Sequence, residues 1–124
     1  MSLKAYQKAQ SSAEQPRDTE YRLFAQVTLA LIEANKTGRA NIPALIDAVD
    51  WNRRLWSALA SDCASSGNKL PDVLRAQIIS LSLWVSRFSS EAIGIGASLE
   101  PLIDVNKSIM AGLSQRPAAE AGKN

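Results

Sequence analysis

The chain of 124 residues contains no histidine and only one cysteine. The absence of histidine excludes Ser-His triads, histidine general bases and histidine-containing zinc sites. A single cysteine, Cys63, allows neither an internal disulfide nor a multi-thiolate metal site. The longest uncharged stretch, residues 76–86, is much shorter than the roughly 20 residues that cross a membrane. We therefore expect no catalytic residues, no metal, no cofactor and no membrane span.

The chain also lacks a large excess of charge of one sign, because it has 14 basic and 12 acidic residues and a formal charge of only +2. A dedicated nucleic-acid binder carries a strongly basic stripe, so this balance argues against nucleic acid as the main partner. Residues 1–6 lack the apolar run of a cleavable signal peptide. We therefore expect a cytoplasmic protein.

Apolar residues recur at helical spacing along the chain, and no segment shows sustained strand alternation. This pattern predicts an all-α fold, namely a single-domain bundle of about five helices over residues 1–113. A frayed, flexible C-terminal tail is predicted for residues 114–124. The predicted helices run over residues 3–10, from Pro16 to Thr37, from about Ile42 to Ala64, from Pro71 to about Ile93, and from Ser98 to Gly112.

Several residues predict how these helices begin and end. Asn41 is the expected N-cap of the third helix, and Ser98 of the fifth. Gly67 is expected to adopt the left-handed conformation that helix ends favour. Gly94 and Gly96 predict a break after the fourth helix, because glycine costs about 1 kcal/mol relative to alanine inside a helix.

Two asparagines lie within apolar helical stripes, and we expect both to be buried. Asn52 belongs to the stripe Leu45, Val49, Asn52, Leu55, Trp56, Leu59 and Cys63. Asn106 belongs to the stripe Leu99, Leu102, Ile103, Asn106, Ile109, Met110 and Leu113. A buried amide without partners costs roughly 1–3 kcal/mol, so the pair predicts either a specified helix packing or a polar anchor in a binding groove.

The second and fourth helices are apolar on more than one side. On the fourth, the main stripe is Leu74, Ile78, Leu81, Val85 and Phe88, and the nearly opposite positions are Ala76, Ile79 and Leu83. Helices of this kind either bury both sides at the centre of a bundle or leave one side open to an amphipathic partner helix. The two interpretations are compatible.

In order along the chain, a series of residues resembles the FlaF family of flagellar biosynthesis proteins from alphaproteobacteria. The series is Tyr6, Asn52-Arg53-Leu55-Trp56, Asn68-Leu70-Pro71-Leu74-Arg75, Leu102-Ile103-Asn106 and Gly112-Leu113. The resemblance covers most of the chain and implies a small cytoplasmic helical protein that acts in flagellin production. It implies no catalysis and no cofactor.

Within this family, two functions are implied. The first is an export chaperone that binds an amphipathic terminal helix of flagellin. The alternative is a post-transcriptional regulator of flagellin synthesis, acting through the FlbT family or through flagellin messenger RNA. The sequence does not decide the oligomeric state, since an exposed apolar stripe serves a homodimer equally well.

Helical phase places five candidate partner-binding residues outside, or at the margin of, the main stripes: Tyr21, Trp51, Arg54, Ile79 and Leu83. The residues that match the family pattern are expected to be structural. Among them, Asn52, Trp56, Asn106 and Gly112 specify packing or helix ends. Arg53 and Arg75 join the third and fourth helices. Asn68, Leu70 and Pro71 organise the turn between them.

Overall fold

The computed structural model describes residues 16–114, with side chains described for residues 20–112. The α-helices are α1 (Pro16–Thr37), α2 (Ile42–Ala64), α3 (Asp72–Ile95) and α4 (Glu100–Ser114), and a 3-10 turn, Gly38–Asn41, joins α1 to α2. No strand occurs within residues 16–114, which confirms the predicted all-α bundle. The predicted helix at residues 3–10 and all of the predicted tail except Ser114 lie outside the described residues.

Side-chain caps set two of the helix starts, as the sequence predicted. The Oδ1 atom of Asn41 accepts a hydrogen bond from the backbone N–H of Ala44 at 3.2 Å. The Oγ atom of Ser98 accepts from the N–H of Glu100 at 3.1 Å. Each cap satisfies one of the backbone donors that have no partner within a helix.

The predictions for the glycines were only partly correct. Gly96 ends α3 at a φ of 75°, and its N–H donates to the carbonyl of Ala92. Gly67 is not left-handed, since the positive φ angles among the described residues belong to Gly38 and Gly96. The α2 exit is instead organised by Ser65, whose backbone is extended and whose hydroxyl donates to the carbonyl of Asp62.

Two helices also continue beyond their predicted ends. Helix α3 includes Gly94 and runs to Ile95, and α4 runs through Gly112 to Ser114. Space around both glycines is open, so no neighbour forces the chain to turn there. The cost of about 1 kcal/mol for a glycine inside a helix is therefore not enough to end either one.

Helix α2 packs closely against α1 on one side and against α3 on the other. Helix α4 packs against α1. Close backbone packing of this kind does not join α3 to α4 among the described residues. At the end of the bundle where α3 stops, Arg39 donates from Nη1 to the carbonyl of Ile93 at 3.2 Å and ties α3 to the 3-10 turn.

Aromatic and aliphatic side chains fill the core between the helices. Trp56 is fully buried and meets the ring of Phe24 edge to face, with centroids 5.5 Å apart. Cys63 is fully buried, as expected of a small hydrophobic residue. The other largest buried side chains are Leu31, Leu99, Leu102, Val27, Val49 and Val85.

A network of hydrogen bonds lies at the centre of this core. Asn52 and Asn106 are both fully buried, which confirms the prediction from their stripes. The Nδ2 group of Asn106 donates to Oδ1 of Asn52 at 2.8 Å and to the hydroxyl oxygen of Thr28 at 3.1 Å. Its Oδ1 atom accepts from the indole Nε1–H of Trp56 at 2.8 Å. A single amide therefore connects α4 to α1 and α2.

The network specifies which side chains face one another. Any rotation or shift of α4 would leave buried donors and acceptors without partners, and each such group costs roughly 1–3 kcal/mol. Of the polar atoms in these four side chains, Nδ2 of Asn52 is buried without a partner. The loss of one more hydrogen bond would therefore add further buried groups without a partner.

Replacement of Asn106 by leucine should destabilise the protein although the volume is similar. The change leaves the indole N–H of Trp56 and Oδ1 of Asn52 without partners, so we expect the free energy of unfolding to fall by at least about 2 kcal/mol. Urea denaturation measures the change. Lys107→Leu, at the exposed neighbouring position, is the control. Equal stability of the two variants would contradict the role assigned to the network.

Truncation of the buried indole gives a second prediction. Trp56→Ala should lower the free energy of unfolding by about 3–5 kcal/mol, because a large cavity replaces a fully buried ring. The matched variant Trp51→Ala, at a partly exposed indole, should cost about 1 kcal/mol or less. Similar urea midpoints for the two variants would refute the assignment of Trp56 to the core.

Candidate functional site

One flank of α3 is fixed to α2 by hydrogen bonds. The hydroxyl of Ser82 donates to the carbonyl of Trp56 at 3.2 Å. Nη2 of Arg53 lies 3.4 Å from Oγ of Ser90, to which it donates. Near the start of α3, Nε of Arg75 donates to the carbonyl of Cys63 at 2.7 Å. The flank that carries these residues is therefore covered by α2.

The other flank of α3 is apolar. At about 100° per residue, Leu81, Trp84 and Phe88 lie on the side of α3 away from Ser82 and Ser90. All three are only half-buried, although they pack against the core. The rings of Trp84 and Phe88 stack with centroids 5.2 Å apart.

One side of α4 is also apolar and half-buried. Thr28 of α1 donates from its hydroxyl to the sulfur of Met110 at 3.8 Å, so the side of α4 that carries Met110 faces α1. Val105 and Ile109 lie on the side of α4 away from Met110, and both are half-buried. Together with Leu81, Trp84 and Phe88, they form the surface that we call the seam.

The seam continues toward the start of α3 as a shallow depression. Its volume is about 630 Å³, and it is lined by Val73, Ala76, Gln77, Ser80 and Leu81. Val73 is 71% exposed and Leu74 is 37% exposed, although the sequence pattern placed Leu74 in the main core stripe. Leu74 lies in the first turn of α3, on the same face as the buried residues Val85 and Ala92.

The chemistry of the seam suits the binding of a helix. From Val73 to Phe88 the exposed apolar strip is about 22 Å long, at 1.5 Å per helical residue. None of the residues that line the depression or form the seam is charged. A long, uncharged and largely apolar strip along the surface of a helix is a candidate site for an amphipathic partner helix.

A second groove lies between α1 and α2. It has a volume of about 450 Å³ and is lined by Ala30, Glu33, Ala34, Thr37, Ala44, Asp47, Ala48 and Trp51. Four of these residues are alanines, whose small side chains leave the groove open, and Trp51 also lines it. It is smaller than the depression beside the seam and lacks a continuous row of large apolar side chains.

The five sequence-predicted contact residues do not form one surface. Trp51 lies on the α1 side of α2, whereas Ile79 and Leu83 lie on α3, which packs on the other side of α2. Leu83 is 61% exposed, and Ile79 is half-buried against the core. Tyr21 is partly exposed on α1. Arg54 is exposed on α2, where its Nε lies 3.1 Å from Oδ2 of Asp50.

The turn between α2 and α3 is held by the residues of the family pattern. Asn68 donates from Nδ2 to Oδ2 of Asp62 at 3.0 Å, and its Oδ1 accepts from the N–H of Leu70 at 3.0 Å. The carbonyl of Pro71 accepts from the N–H of Arg75 at 3.0 Å. These contacts fix where α3 starts and therefore where the seam begins.

Sequence reasoning missed the seam, although it named three of its five residues, Leu81, Phe88 and Ile109, as members of core stripes. Leu81 and Phe88 were placed in the main core stripe, and Trp84 was not singled out. The half-exposed ring pair Trp84 and Phe88, spaced four residues apart on one side of a helix, is the signal that pointed to it.

Metal binding and thiol reactivity were also considered for the described residues. No group of three or more metal-binding side chains occurs there. Burial raises the pKa of the Cys63 thiol above its ordinary value, and the nearby carboxylates of Asp62 and Glu20 raise the pKa further. The thiol is therefore a poor nucleophile. No helix within residues 16–114 has the length and hydropathy needed to span a bilayer.

Comparison with known proteins identified one protein family. The family model described as flagellar protein FlaF matches residues 2–113 of the chain. This range includes the four described α-helices up to Leu113, and it confirms the resemblance inferred from the sequence. No curated protein and no solved structure matches the chain.

The raised pKa of Cys63 has a measurable consequence. In the folded protein, alkylation by iodoacetamide at pH 8 should be at least about tenfold slower than that of glutathione, because both access and thiolate formation are suppressed. The rates should become similar in urea. Because the folded protein favours the neutral thiol of Cys63, the free energy of unfolding should fall as the pH rises above the pKa of the thiol in the unfolded chain. Fast alkylation without urea would contradict the burial.

Proposed function

Since the chain belongs to the FlaF family of flagellar proteins, we propose that it is a cytoplasmic, non-catalytic export chaperone for flagellin. In this proposal an amphipathic terminal helix of flagellin binds in the seam, and binding supports or regulates flagellin production. Terminal helices of flagellin become ordered only when the filament assembles. Until then their apolar faces need cover, which a helix-binding groove supplies.

The observation that carries the proposal is the incomplete burial of large apolar side chains on α3 and α4. Trp84, Phe88, Val105 and Ile109 all pack against the core and yet keep one side exposed. Monomeric proteins rarely leave a continuous apolar strip of this length uncovered. Ordering of the bound segment costs several kcal/mol, which keeps such binding reversible.

The arginines of the family pattern support a protein partner over RNA. Arg53 donates to Ser90, and Arg75 donates to the carbonyls of Cys63 and Ser65. Arg54 forms an ion pair with Asp50. A phosphate-binding surface needs guanidinium groups that are available to phosphate oxygens, whereas Arg53 and Arg75 donate to groups within the fold and the exposed Arg54 has a neighbouring carboxylate.

Substitutions in the seam test the proposal. Val73→Asp places a charge on an exposed part of the strip, and Phe88→Ala removes apolar contact area worth about 1.5–3 kcal/mol. Each should weaken binding of monomeric flagellin by about tenfold or more, since 1.4 kcal/mol corresponds to tenfold. Isothermal calorimetry gives the dissociation constants, and circular dichroism confirms that each variant is folded.

Leu83→Asp is the matched control, because Leu83 is exposed on the same helix but outside the seam. Its affinity should stay within about twofold of the original. If Leu83→Asp loses binding while the seam variants keep it, the surface first predicted from the sequence is the binding site. An affinity for flagellin messenger RNA that falls steeply with salt, without binding of flagellin, would support the regulatory alternative.

A further inference from the structure

Three buried polar atoms belong to the interface between α2 and α3. Within residues 20–112, Nδ2 of Asn52, Nε of Arg53 and Oγ of Ser89 are buried side-chain atoms without a hydrogen-bond partner. Asn52 and Ser89 are fully buried. Such atoms destabilise the folded state and are rare in native proteins. Their occurrence on two helices that pack together suggests that they share one partner.

The two helices run in opposite directions and bring these residues to the same level. On α2, the contacts to α3 pass from Trp56 back to Arg53, while their partners on α3 pass forward from Ser82 to Ser90. Nη2 of Arg53 donates to Oγ of Ser90 at 3.4 Å, on one flank of the interface. This pair fixes the level at which the residues just before it meet.

Helical phase turns Asn52 and Ser89 toward each other. Each precedes a member of the Arg53–Ser90 pair by one residue, and a step of about 100° rotates both side chains the same way in antiparallel helices, from the flank into the core. The full burial of both side chains agrees with this placement. Oδ1 of Asn52 accepts from Asn106 on α4, so Nδ2 is the end of this amide that is left for α3.

We propose that one water molecule binds between α2 and α3 and is shared by the three atoms. Its oxygen accepts from Nδ2–H of Asn52 and from Nε–H of Arg53, and one of its hydrogens is donated to Oγ of Ser89. Buried waters typically make about three hydrogen bonds to polar groups that otherwise lack partners. Two nitrogen donors and one hydroxyl oxygen provide that set, and a water-mediated bond is nearly as favourable in enthalpy as a direct one.

The bound water extends the buried network to α3. The direct hydrogen bonds of Asn106 reach Thr28 on α1 and Asn52 and Trp56 on α2. Through Asn52 and the water, the rotation of α3 about its own axis is fixed by the same network. This inference does not rest on the proposed function, although the rotation of α3 decides which of its side chains remain exposed.

Replacement of Ser89 by alanine has opposite effects for an unpaired and a hydrated hydroxyl. If Oγ is unpaired, Ser89→Ala removes a buried group that destabilises the fold, so the stability should rise. If the water is bound, the change leaves it without an acceptor, and the equilibrium constant for unfolding should increase by about fivefold or more. The control is Ser86→Ala, at an exposed serine of the same helix, where the gain in helix propensity is similar.

Urea denaturation of the full chain gives the first result, and a crystal structure of the same protein gives the second. The proposal predicts that Ser89→Ala is less stable than Ser86→Ala, and that one ordered water lies within about 3.2 Å of the three atoms. Equal or higher stability of Ser89→Ala overturns it. Loss of stability without an ordered water, and with Oγ of Ser89 bonded directly to Nδ2 of Asn52, also overturns it. Neither measurement involves flagellin, so both outcomes are independent of the proposed function.

Discussion

The side-chain amide of Asn106 is the interaction on which the arrangement of the helices depends. Its two groups bond to Thr28 on α1 and to Asn52 and Trp56 on α2. A hydrophobic core alone tolerates small rotations of a helix, whereas buried hydrogen bonds fix its orientation because a broken bond leaves an unpaired group in an apolar environment. The amide therefore makes α1, α2 and α4 one unit.

Hydrogen bonds join α3 to α2 and to the 3-10 turn. Ser82 and Ser90 contact α2, and the network at the centre of the bundle contains no residue of α3. Close packing does not join α3 to α4 among the described residues, and apolar side chains on both helices keep part of their surface exposed. The network that specifies the fold thus does not hold α3 against α4.

Helix boundaries and buried residues were largely predictable from the sequence, but the proposed binding surface was not. The bounds of α2 and the burial of Asn52 follow from local signals, namely a cap and a helical stripe, which act within a few residues. Whether a neighbour covers Leu74 or Phe88 depends on the order in which helices pack, and no local signal reports that order. The prediction that Gly67 is left-handed was wrong because the side chains of Ser65 and Asn68 fix that turn instead.

The three tryptophans lie in three different environments. Trp51 lines the α1–α2 groove, Trp56 is in the core and Trp84 belongs to the seam. The most direct test of the account is therefore an NMR titration of the ¹⁵N-labelled protein with a terminal segment of flagellin, followed through the three indole N–H signals. The account predicts that the Trp84 signal shifts, while the signals of Trp51 and Trp56 stay in place. A shift of Trp51 without a shift of Trp84 would contradict it.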